Sequence, residues 1–522
     1  MNITLKKIFR SARVLGLCAT LGACSDFFDP SQDLIQERED HYQSLDMARK
    51  AVVGAYAGLQ EVVEPLVVLG GLRGDLMVRT LSVDESLREI ENYSVTAKNE
   101  YANPRPFYDI ILECNDALAN LEKTKQDPQM TEHLYPAYKA ELMTLRAWTY
   151  FQLAQTYKEV PFITQEVNGF FGDYKPESLD FISMINWLTE EMTWAQKQPI
   201  LDWTVTDKND KEILQPWRKV FINRKALLGE LYLTAGQYQK AANLLYSCII
   251  DDGQGKDNEE HKCAGITGQL NWRKYWHKIK DGSSTFEQIS VIPFQSSQGQ
   301  TNELSRIFSN ASYNDYLLKP SSLAVSIWEK QHSTMSNLPG DFYRGLGASY
   351  RIYSEDTVIT KFSQGSNYKL DPVFSIYRAA DVHLLYAEAI NRLNQSDKAL
   401  AVVNSELEGS PETSGIRGRV NLEIVRMDKL KLDYPDITDE RELVEIVLLE
   451  ERALEFAFEG RRWNDLVRFA TRVGKPEWLA DRVASKFASS DPDRAEKLRA
   501  FLMDEDNWRL DMPMVKLENK DQ

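Results

Sequence analysis

The chain has 522 residues, of which 43% are hydrophobic and 27% are charged, and its formal net charge is −16. This acidic balance disfavours nucleic acids and anionic membrane surfaces as partners, because both repel a negatively charged protein. The length is compatible with two or three ordinary domains, or with one long body built from helical repeats.

The N-terminus predicts export and lipidation. Basic residues precede a short apolar stretch at residues 14–20, which is about half the roughly 20 residues that a membrane-spanning helix requires. The Leu21–Cys24 segment resembles a bacterial lipobox, in which the cysteine becomes the acylated N-terminus. We therefore expect residues 1–23 to be a signal peptide and Cys24 to carry lipid such as palmitate; an ordinary secretory signal is the alternative. After residue 23 we expect no apolar segment that is long enough to span a membrane.

Apolar residues recur at helical spacing along much of the chain. The spacing predicts helices at residues 141–157, 223–234, 238–250, 377–393 and 396–406. Pro161 follows the first of these, and Gly236 lies between the second and third, where a helix C-cap is expected. The pattern over Leu231–Ala242 resembles a tetratricopeptide helix–turn–helix. The second and third helices are therefore predicted to form a pair, and the fourth and fifth another.

Residues 251–370 are rich in Ser, Asn, Gly, Gln and aromatic residues and show little periodicity. We predict loops, short helices and a short hairpin around residues 289–294. Long irregular segments inside a compact body usually carry function, so we expect the ligand contacts here. With helical scaffold at about 40–250 and 371–470, the predicted fold class is mainly α, and residues 24–522 are expected to form one body.

The sequence lacks the spacings typical of catalytic and metal sites. No two histidines are four residues apart, and there is no Gly-x-Ser-x-Gly or Walker A motif. We therefore predict no catalytic residue, no metal and no cofactor; calcium at the acidic, glycine-rich stretch 251–257, which lacks EF-hand spacing, is the alternative. Cys248 and Cys263 flank a polar stretch and could form a disulfide in an oxidising compartment; unpaired thiols are the alternative, and we favour it.

The strongest internal signal is the charged segment at residues 450–466. It predicts a helix that Gly460 ends, with two arginines following. Glu451 and Glu455 fall one helical turn apart, which allows two roles: the acid–base pair of a glycosidase, or a buried ion network in which arginines clamp carboxylates. We favour the network, because neighbouring arginines lower a carboxyl pKa, which is unsuitable for a general acid.

This segment resembles the C-terminal signature of SusD/RagB-type outer-membrane lipoproteins of Bacteroidetes, E-R-x-x-E-x-x-x-E-G-x-R-x-x-D-L, which matches from Glu451 onward. Other elements similar to the family's follow its order: Tyr108/Ile111/Asn115, Leu145–Leu153 with Val160–Pro161, Lys319–Ser321, Asp341/Arg344 and Tyr377–Ala389. The family's Asn-x-x-Arg-x-Arg-Ala element is replaced by Asn404 followed later by Gly415–Arg419, so the loop there is expected to differ.

The resemblance implies a fold and a role. Members of this family have a tetratricopeptide-like helical scaffold with an irregular binding region, and they are not enzymes. They are lids on a TonB-dependent SusC-like outer-membrane barrel, anchored by lipid and facing the cell exterior. They capture oligomeric nutrients, mostly glycans, whereas RagB-like members capture oligopeptides. A surface glycosidase and a tetratricopeptide adaptor remain as more distant alternatives.

Aromatic faces and planar polar side chains are the groups that hold glycans. The candidate ligand contacts in the irregular region are Trp272, Tyr275, Trp276, Tyr313, Asn314, Tyr316, Tyr343, Arg344 and Tyr350. Arg73 and Asp75, in a glycine-rich turn, are a second and weaker pair of candidates. Each aromatic residue could instead belong to the core. The same groups would also suit a peptide, so the sequence leaves both ligand classes open.

Overall fold

The computed structural model describes residues 42–513 except for 82–83, 168–175, 202–204, 207–211, 214–218, 251–271, 273–286, 295–298, 309–315, 336–337, 355, 363–372 and 406–414. The helices are α1 (Leu45–Ala57), α2 (Leu59–Leu72), α3 (Glu85–Glu91), α4 (Arg105–Asn120), α5 (Leu134–Thr156), α6 (Phe181–Ala195), α7 (Arg224–Thr234), α8 (Tyr238–Ile250), α9 (Leu304–Ile307), α10 (Ser322–Glu329), α11 (Ala379–Arg392), α12 (Ser396–Asn404), α13 (Met427–Asp433), α14 (Glu440–Phe456), α15 (Arg462–Val473), α16 (Glu477–Ser485) and α17 (Pro492–Leu502). The strands are β1 (Met77–Arg79), β2 (Glu159–Pro161), β3 (Ser178–Asp180), β4 (Val205–Thr206), β5 (Glu212–Ile213), β6 (Gln288–Ile292), β7 (Leu318–Pro320), β8 (Tyr350–Tyr353), β9 (Asp356–Ile359) and β10 (Phe374–Arg378). The predicted mainly α fold class is confirmed.

The helices stack in chain order, as in a repeat protein. Helices α4 to α8 each pack on the next, α8 packs on α11, and α11 packs on α12 and α14. The predicted pair α7–α8 is confirmed: Asn223 caps α7 by accepting from Ala226 N at 3.0 Å, and Gly236 has a φ of +71° in the turn. A Cβ on Gly229 would lie 2.5 Å from Leu245, so this glycine allows α7 and α8 to pack closely.

Helices α1 and α2 form an apolar layer of this stack. Leu45–Leu72 is long and apolar enough to cross a membrane by length and composition alone, so the expectation that no segment after residue 23 would qualify was wrong. However, 56% of its apolar window is buried inside the protein, and Val62 and Val67 are fully enclosed by the core. Burial against other helices is what a core helix pair requires.

The short strands tie distant parts of the chain together. Strand β6 was predicted within a local hairpin, but it pairs antiparallel with β10, which comes much later in the sequence. Every residue of both strands is buried, so the pairing is set by the core rather than by a local turn. It brings Glu287 and Arg378, at the ends of these strands, to 3.0 Å from each other.

The helix of the charged segment ends earlier than predicted. α14 ends at Phe456, and the chain then turns through Phe458 and Gly460, whose φ values are +69° and +75°. Arg462 is the first residue of α15 and does not extend α14. The turn places Glu459 beyond the helix but on the same buried side as Glu455, and both side chains are enclosed.

Candidate functional site

The glutamates of the charged segment lie in the interior and face cations. Arg344 bonds to Glu451 at 2.9 Å and to Glu455 at 2.8 Å. Arg378 bonds to Glu455 at 2.9 Å and to Glu459 at 3.0 Å. Within the described residues this network joins five cations, Arg344, Lys361, Arg378, Arg417 and Arg419, to five carboxylates, Glu287, Asp341, Glu451, Glu455 and Glu459. The charges balance, as a buried network requires.

The burial and ionisation of Glu451 and Glu455 do not suit the acid–base pair of a glycosidase. Burial alone would raise the pKa of Glu451, but Arg344 and Arg417 outweigh it and lower the pKa below its usual value. Burial is likewise outweighed at Glu455, whose pKa is lowered strongly by Arg419, Arg378 and Arg344. A carboxylate that stays ionised cannot donate a proton to a leaving group. The predicted buried ion network is therefore confirmed.

A second buried network surrounds Glu388 on α11. Its carboxylate bonds to Arg468 at 2.9 Å and to Arg472 at 3.0 Å, both from α15. Arg452 from α14 joins the same group through Asp465 at 2.8 Å. Burial would raise the pKa of Glu388, but these arginines lower it to about 2. The network fastens α11, α14 and α15 to one another.

We expect Glu388 to give the protein part of its stability against acid. Its pKa is about 2 in the folded protein, against an ordinary value of 4.5, so its contribution is present above pH 4.5 and is lost as the pH falls towards 2. The linkage relation gives a loss of roughly 2 kcal/mol by pH 3. Urea unfolding would measure the free energy of unfolding of the wild type and of Glu388→Gln at pH 7 and at pH 3. The two proteins should differ less in this free energy at pH 3 than at pH 7. Equal differences at the two pH values would contradict this.

The other recognised elements also hold the scaffold. Tyr108 donates to the carbonyl of Pro161 at 2.7 Å, and Asn115 donates to the carbonyl of Ile163 at 2.8 Å. Arg146 on α5 donates to Asn115 Oδ1 at 2.7 Å. These bonds fasten the segment after α5 to α4. Tyr108 and Asn115 belong to one sequence motif because both bond to this same segment.

Three charged residues predicted to contact ligand lie instead in the interior. Arg344 is fully buried in the network of Glu451 and Glu455. Asp75 is buried and pairs with Arg462 at 2.7 Å, and Arg73 is buried with its guanidinium 4.1 Å from the Trp463 ring centre. Side chains enclosed by protein offer no area to a polymer at the surface, so these three residues do not form part of a polymer-binding surface.

The predicted aromatic contacts divide into three groups. Trp272 and Tyr350 are buried, and Tyr350 stacks on Trp328 with ring centres 5.5 Å apart, so for them the core role applies. Tyr316 and Tyr343 are partly exposed and stay candidates. Tyr275, Trp276, Tyr313, Asn314 and the lipidation candidate Cys24 lie outside the described residues, as do Cys263 and most of the stretch between Cys248 and Glu287.

Tyr343 lies in a turn that is fixed from the inside. Asp341 Oδ1 accepts hydrogen bonds from the backbone N–H of Tyr343 at 3.1 Å and of Arg344 at 3.0 Å. Asp341 Oδ2 accepts from Arg344 Nε at 2.6 Å. Because Arg344 is locked in the buried network, the inner side of the turn is rigid, while Phe342 is exposed and Tyr343 half-buried on its outer side.

Two further segments border this turn. Ser333 forms an antiparallel β-bridge with Leu422, which places the segment 332–335 beside the segment 421–424. Tyr343 Oη lies 3.3 Å from Met335 Sδ and accepts a hydrogen bond from Asn421 Nδ2 at 3.0 Å. We define the aromatic patch as Tyr343 and Asn421 together with five exposed large apolar residues, Met335, Leu338, Phe342, Leu346 and Ile424. Exposed large apolar residues gathered on adjoining segments often mark a binding site.

The patch is extended by a neighbouring hairpin. Leu346 is bridged to Tyr350 at the base of the β8–β9 hairpin, whose Ile352 and Tyr353 are exposed. On the opposite strand Asp356 accepts from Tyr316 Oη at 2.6 Å and from Lys319 Nζ at 2.8 Å. Burial and the hydrogen bond to Asp356 raise the pKa of Tyr316 to about 12, so its hydroxyl stays protonated as a donor.

Most residues of the patch were missed by the sequence-based prediction, which named only Tyr343 among them. The sequence did contain one signal. Asp341 and Arg344 resemble a family element, and in a tight turn the residues between two buried ones face outwards, which points to Phe342 and Tyr343. Met335 and Ile424 had no such signal, because their closeness depends on the bridge between Ser333 and Leu422.

The fold and the patch define a helical-repeat scaffold that presents an irregular, partly aromatic surface. The SusD family model matches residues 236–518, and the chain belongs to the SusD family. It is 23% identical to the SusD-like protein P38 of Formosa agariphila, with 89% of this chain and 91% of that protein covered.

Two similar solved structures share the fold. A SusD superfamily protein from Bacteroides vulgatus has a TM-score of 0.66 and 18% identity, with 88% of this chain and 93% of that chain covered. A laminarin-binding SusD-like protein has a TM-score of 0.61 and 18% identity, with 91% and 98% covered. At these identities the likeness concerns the fold.

Proposed function

We propose that this protein is a binding protein, not an enzyme, and that it captures glycans at the cell surface through the aromatic patch. The single observation that carries the proposal is the exposed Phe342–Tyr343 pair, held by a turn whose inner side is fixed by Asp341 and Arg344. Membership of the SusD family and the fold shared with a laminarin-binding relative support it.

The chemistry of the patch suits a sugar chain. Aromatic faces pack against the C–H groups of sugar rings, and amides and hydroxyls bond to sugar hydroxyls. Asn421 and Tyr343 are already bonded to each other at 3.0 Å, so both are oriented before a ligand arrives. A preorganised surface loses little conformational entropy on binding. Because the β8–β9 hairpin continues the surface, the site can accept several sugar units.

Replacing Phe342 or Tyr343 by alanine is expected to weaken glycan binding about tenfold or more, because aromatic anchors dominate such interfaces. Isothermal titration against a glycan panel that includes laminarin would measure this. The matched control is Trp194→Ala, since Trp194 is 39% exposed and Phe342 is 42% exposed, but Trp194 lies at the end of α6, outside the patch.

Two results would overturn the glycan proposal. One is an equal loss of affinity in Trp194→Ala and in the patch variants. The other is saturable binding of oligopeptides with no binding to any glycan, which would favour the RagB-like alternative. Circular dichroism of each variant would verify that the helical fold is retained.

We further propose that the protein is a lid on a TonB-dependent, SusC-like barrel of the outer membrane, anchored by lipid at Cys24. The lipobox-like Leu21–Cys24 segment supports the anchor, and family membership supports the partner. A lid must open without diffusing away, and two or more acyl chains hold a protein stably on a membrane. Co-purification of such a barrel with the native protein would test the partnership.

Cys24→Ala is expected to leave glycan affinity unchanged but to reduce uptake of a labelled glycan by cells strongly, because the unanchored protein diffuses away from the barrel. Cys18→Ala is the matched control, since Cys18 lies within the expected signal peptide and should not alter uptake. Unchanged uptake in Cys24→Ala would contradict the lid proposal while leaving the glycan proposal standing.

A further inference from the structure

A cavity of about 290 Å³ lies between the end of α2, the segment after α3 and the C-terminal segment that follows α17. Its walls include Arg73, Tyr93, Lys158, Phe501, Arg509 and Met512. The space is far larger than one water molecule needs. None of its lining residues belongs to the aromatic patch, so the function of the cavity is separate from the proposed glycan site.

Arg73 is the unusual residue of this cavity. It is only 2% exposed, and within the described part of the chain no carboxylate forms an ion pair with it. Its Nη2 donates to the carbonyl of Trp508, its guanidinium packs on Trp463, and its Nε has no hydrogen-bond partner among the described residues. In contrast, the buried Arg344 and Arg462 are each neutralised by a carboxylate at 2.6–2.9 Å.

A second guanidinium adds to the positive charge. Arg509 lines the same cavity, its Nε also lacks a partner among the described residues, and its guanidinium lies 4.0 Å from the Phe181 ring centre. Burial, together with the charge of Arg509, lowers the pKa of Arg73 to about 10. Lys158 and the exposed Asp511 also line the cavity, and they neutralise each other at 3.0 Å, so the charge of the two guanidinium groups is not offset by this carboxylate.

Buried charge without a partner is costly, and an anion is the partner that would relieve it. Two planar guanidinium groups match the two oxygens of a carboxylate in a bidentate manner. An inorganic anion would fill only part of the space, whereas the rings of Tyr93 and Phe501 and the thioether of Met512 can pack against an apolar body.

We propose that this cavity binds a small organic carboxylate, whose charged group pairs with Arg73 and Arg509 and whose apolar part contacts Tyr93, Phe501 and Met512. The site adds a second ligand class to the protein, and it does not depend on the glycan proposal.

Isothermal titration of the full mature protein with benzoate, benzamide and inorganic sulfate tests this. Benzoate should bind saturably, and benzamide, which has the same shape without the charge, at least tenfold more weakly. Arg509→Gln should weaken benzoate binding about tenfold or more, since Arg509 is partly exposed and its replacement leaves the core intact. Arg499→Gln is the matched control, because Arg499 on the adjacent α17 is exposed and paired with Asp481, and it should leave affinity unchanged.

The proposal is overturned if benzoate shows no saturable binding, if benzamide binds equally well, or if Arg509→Gln has no effect. Binding of sulfate without binding of benzoate would also overturn it, because the cavity would then be an inorganic anion site. Glycan affinity of Arg509→Gln should equal that of the wild type, which separates this result from any failure of the patch.

Discussion

Replacing Glu455 by glutamine is expected to lower the free energy of unfolding by about 3–5 kcal/mol, the cost typical of breaking a buried ion pair from one side. Glu455 bonds to Arg344, Arg378 and Arg419, and all four side chains are fully enclosed. The network has as many cations as carboxylates, so the substitution leaves one positive charge without compensation. Such a loss is a large part of the 5–15 kcal/mol that stabilises a typical domain.

The matched control for Glu455 is its neighbour Glu450. It lies on the same helix, but it is partly exposed and pairs with Arg482 at 3.0 Å, so Glu450→Gln is expected to cost less than about 1 kcal/mol. Urea unfolding followed by circular dichroism would compare the two variants. Equal losses would show that the buried network contributes no more than a surface pair.

If Glu455→Gln fails to fold, a second substitution keeps the test decisive. Adding Arg419→Gln removes the uncompensated charge, so the double variant should recover soluble, helical protein. Arg419 also bonds to Glu287 at 2.8 Å, and recovery is therefore expected to be partial. A double variant that also fails to give soluble, helical protein would contradict the charge-balance explanation.

The sequence predicted the scaffold well because its signals are local. Helical spacing, Asn223 as a cap and Gly236 as a C-terminal turn residue act within a few residues of one another, and α7 and α8 have nearly the predicted bounds. The buried network was also predictable in kind, since ionised glutamates on a buried helix require cations as partners. Its partners Arg417 and Arg419 were not, because they come from a loop whose position is set by tertiary packing.

The ligand surface was predicted less well for a related reason. The resemblance to the family rests on residues such as Glu451, Arg378 and Asn115, and the structure uses all three inside the scaffold. Family motifs therefore identify the fold and the inner side of the turn at residues 341–344, while the exposed residues of the proposed binding patch lie between the motifs. Arg344 is an example. It was predicted as a ligand contact, but it is buried and its bonds to Asp341 fix the turn that carries Phe342 and Tyr343.

Gly460, the glycine of the signature, should tolerate replacement poorly, and Gly460→Ala is expected to cost roughly 2–5 kcal/mol. A positive φ penalises alanine by about 1–2 kcal/mol, and a Cβ here would lie 2.8 Å from the Leu66 carbonyl oxygen and from Val67 Cα. Both are backbone atoms of α2 and cannot rotate away, so overpacking adds about 1–3 kcal/mol. The turn that carries Glu459 therefore packs directly against α2 of the apolar layer.

Gly474 separates the two parts of this cost. Its φ of +68° is almost that of Gly460, but a Cβ there would meet nothing within 4 Å, so Gly474→Ala should cost only the conformational part, about 1–2 kcal/mol. Gly70→Ala tests the steric cost alone. Gly70 lies within a helix, where alanine usually stabilises by about 1 kcal/mol relative to glycine. However, its Cβ would lie 1.8 Å from the Gly460 carbonyl oxygen. Destabilisation by Gly70→Ala in urea unfolding would confirm the contact, whereas a gain in stability would show that α2 and the turn are not in close contact.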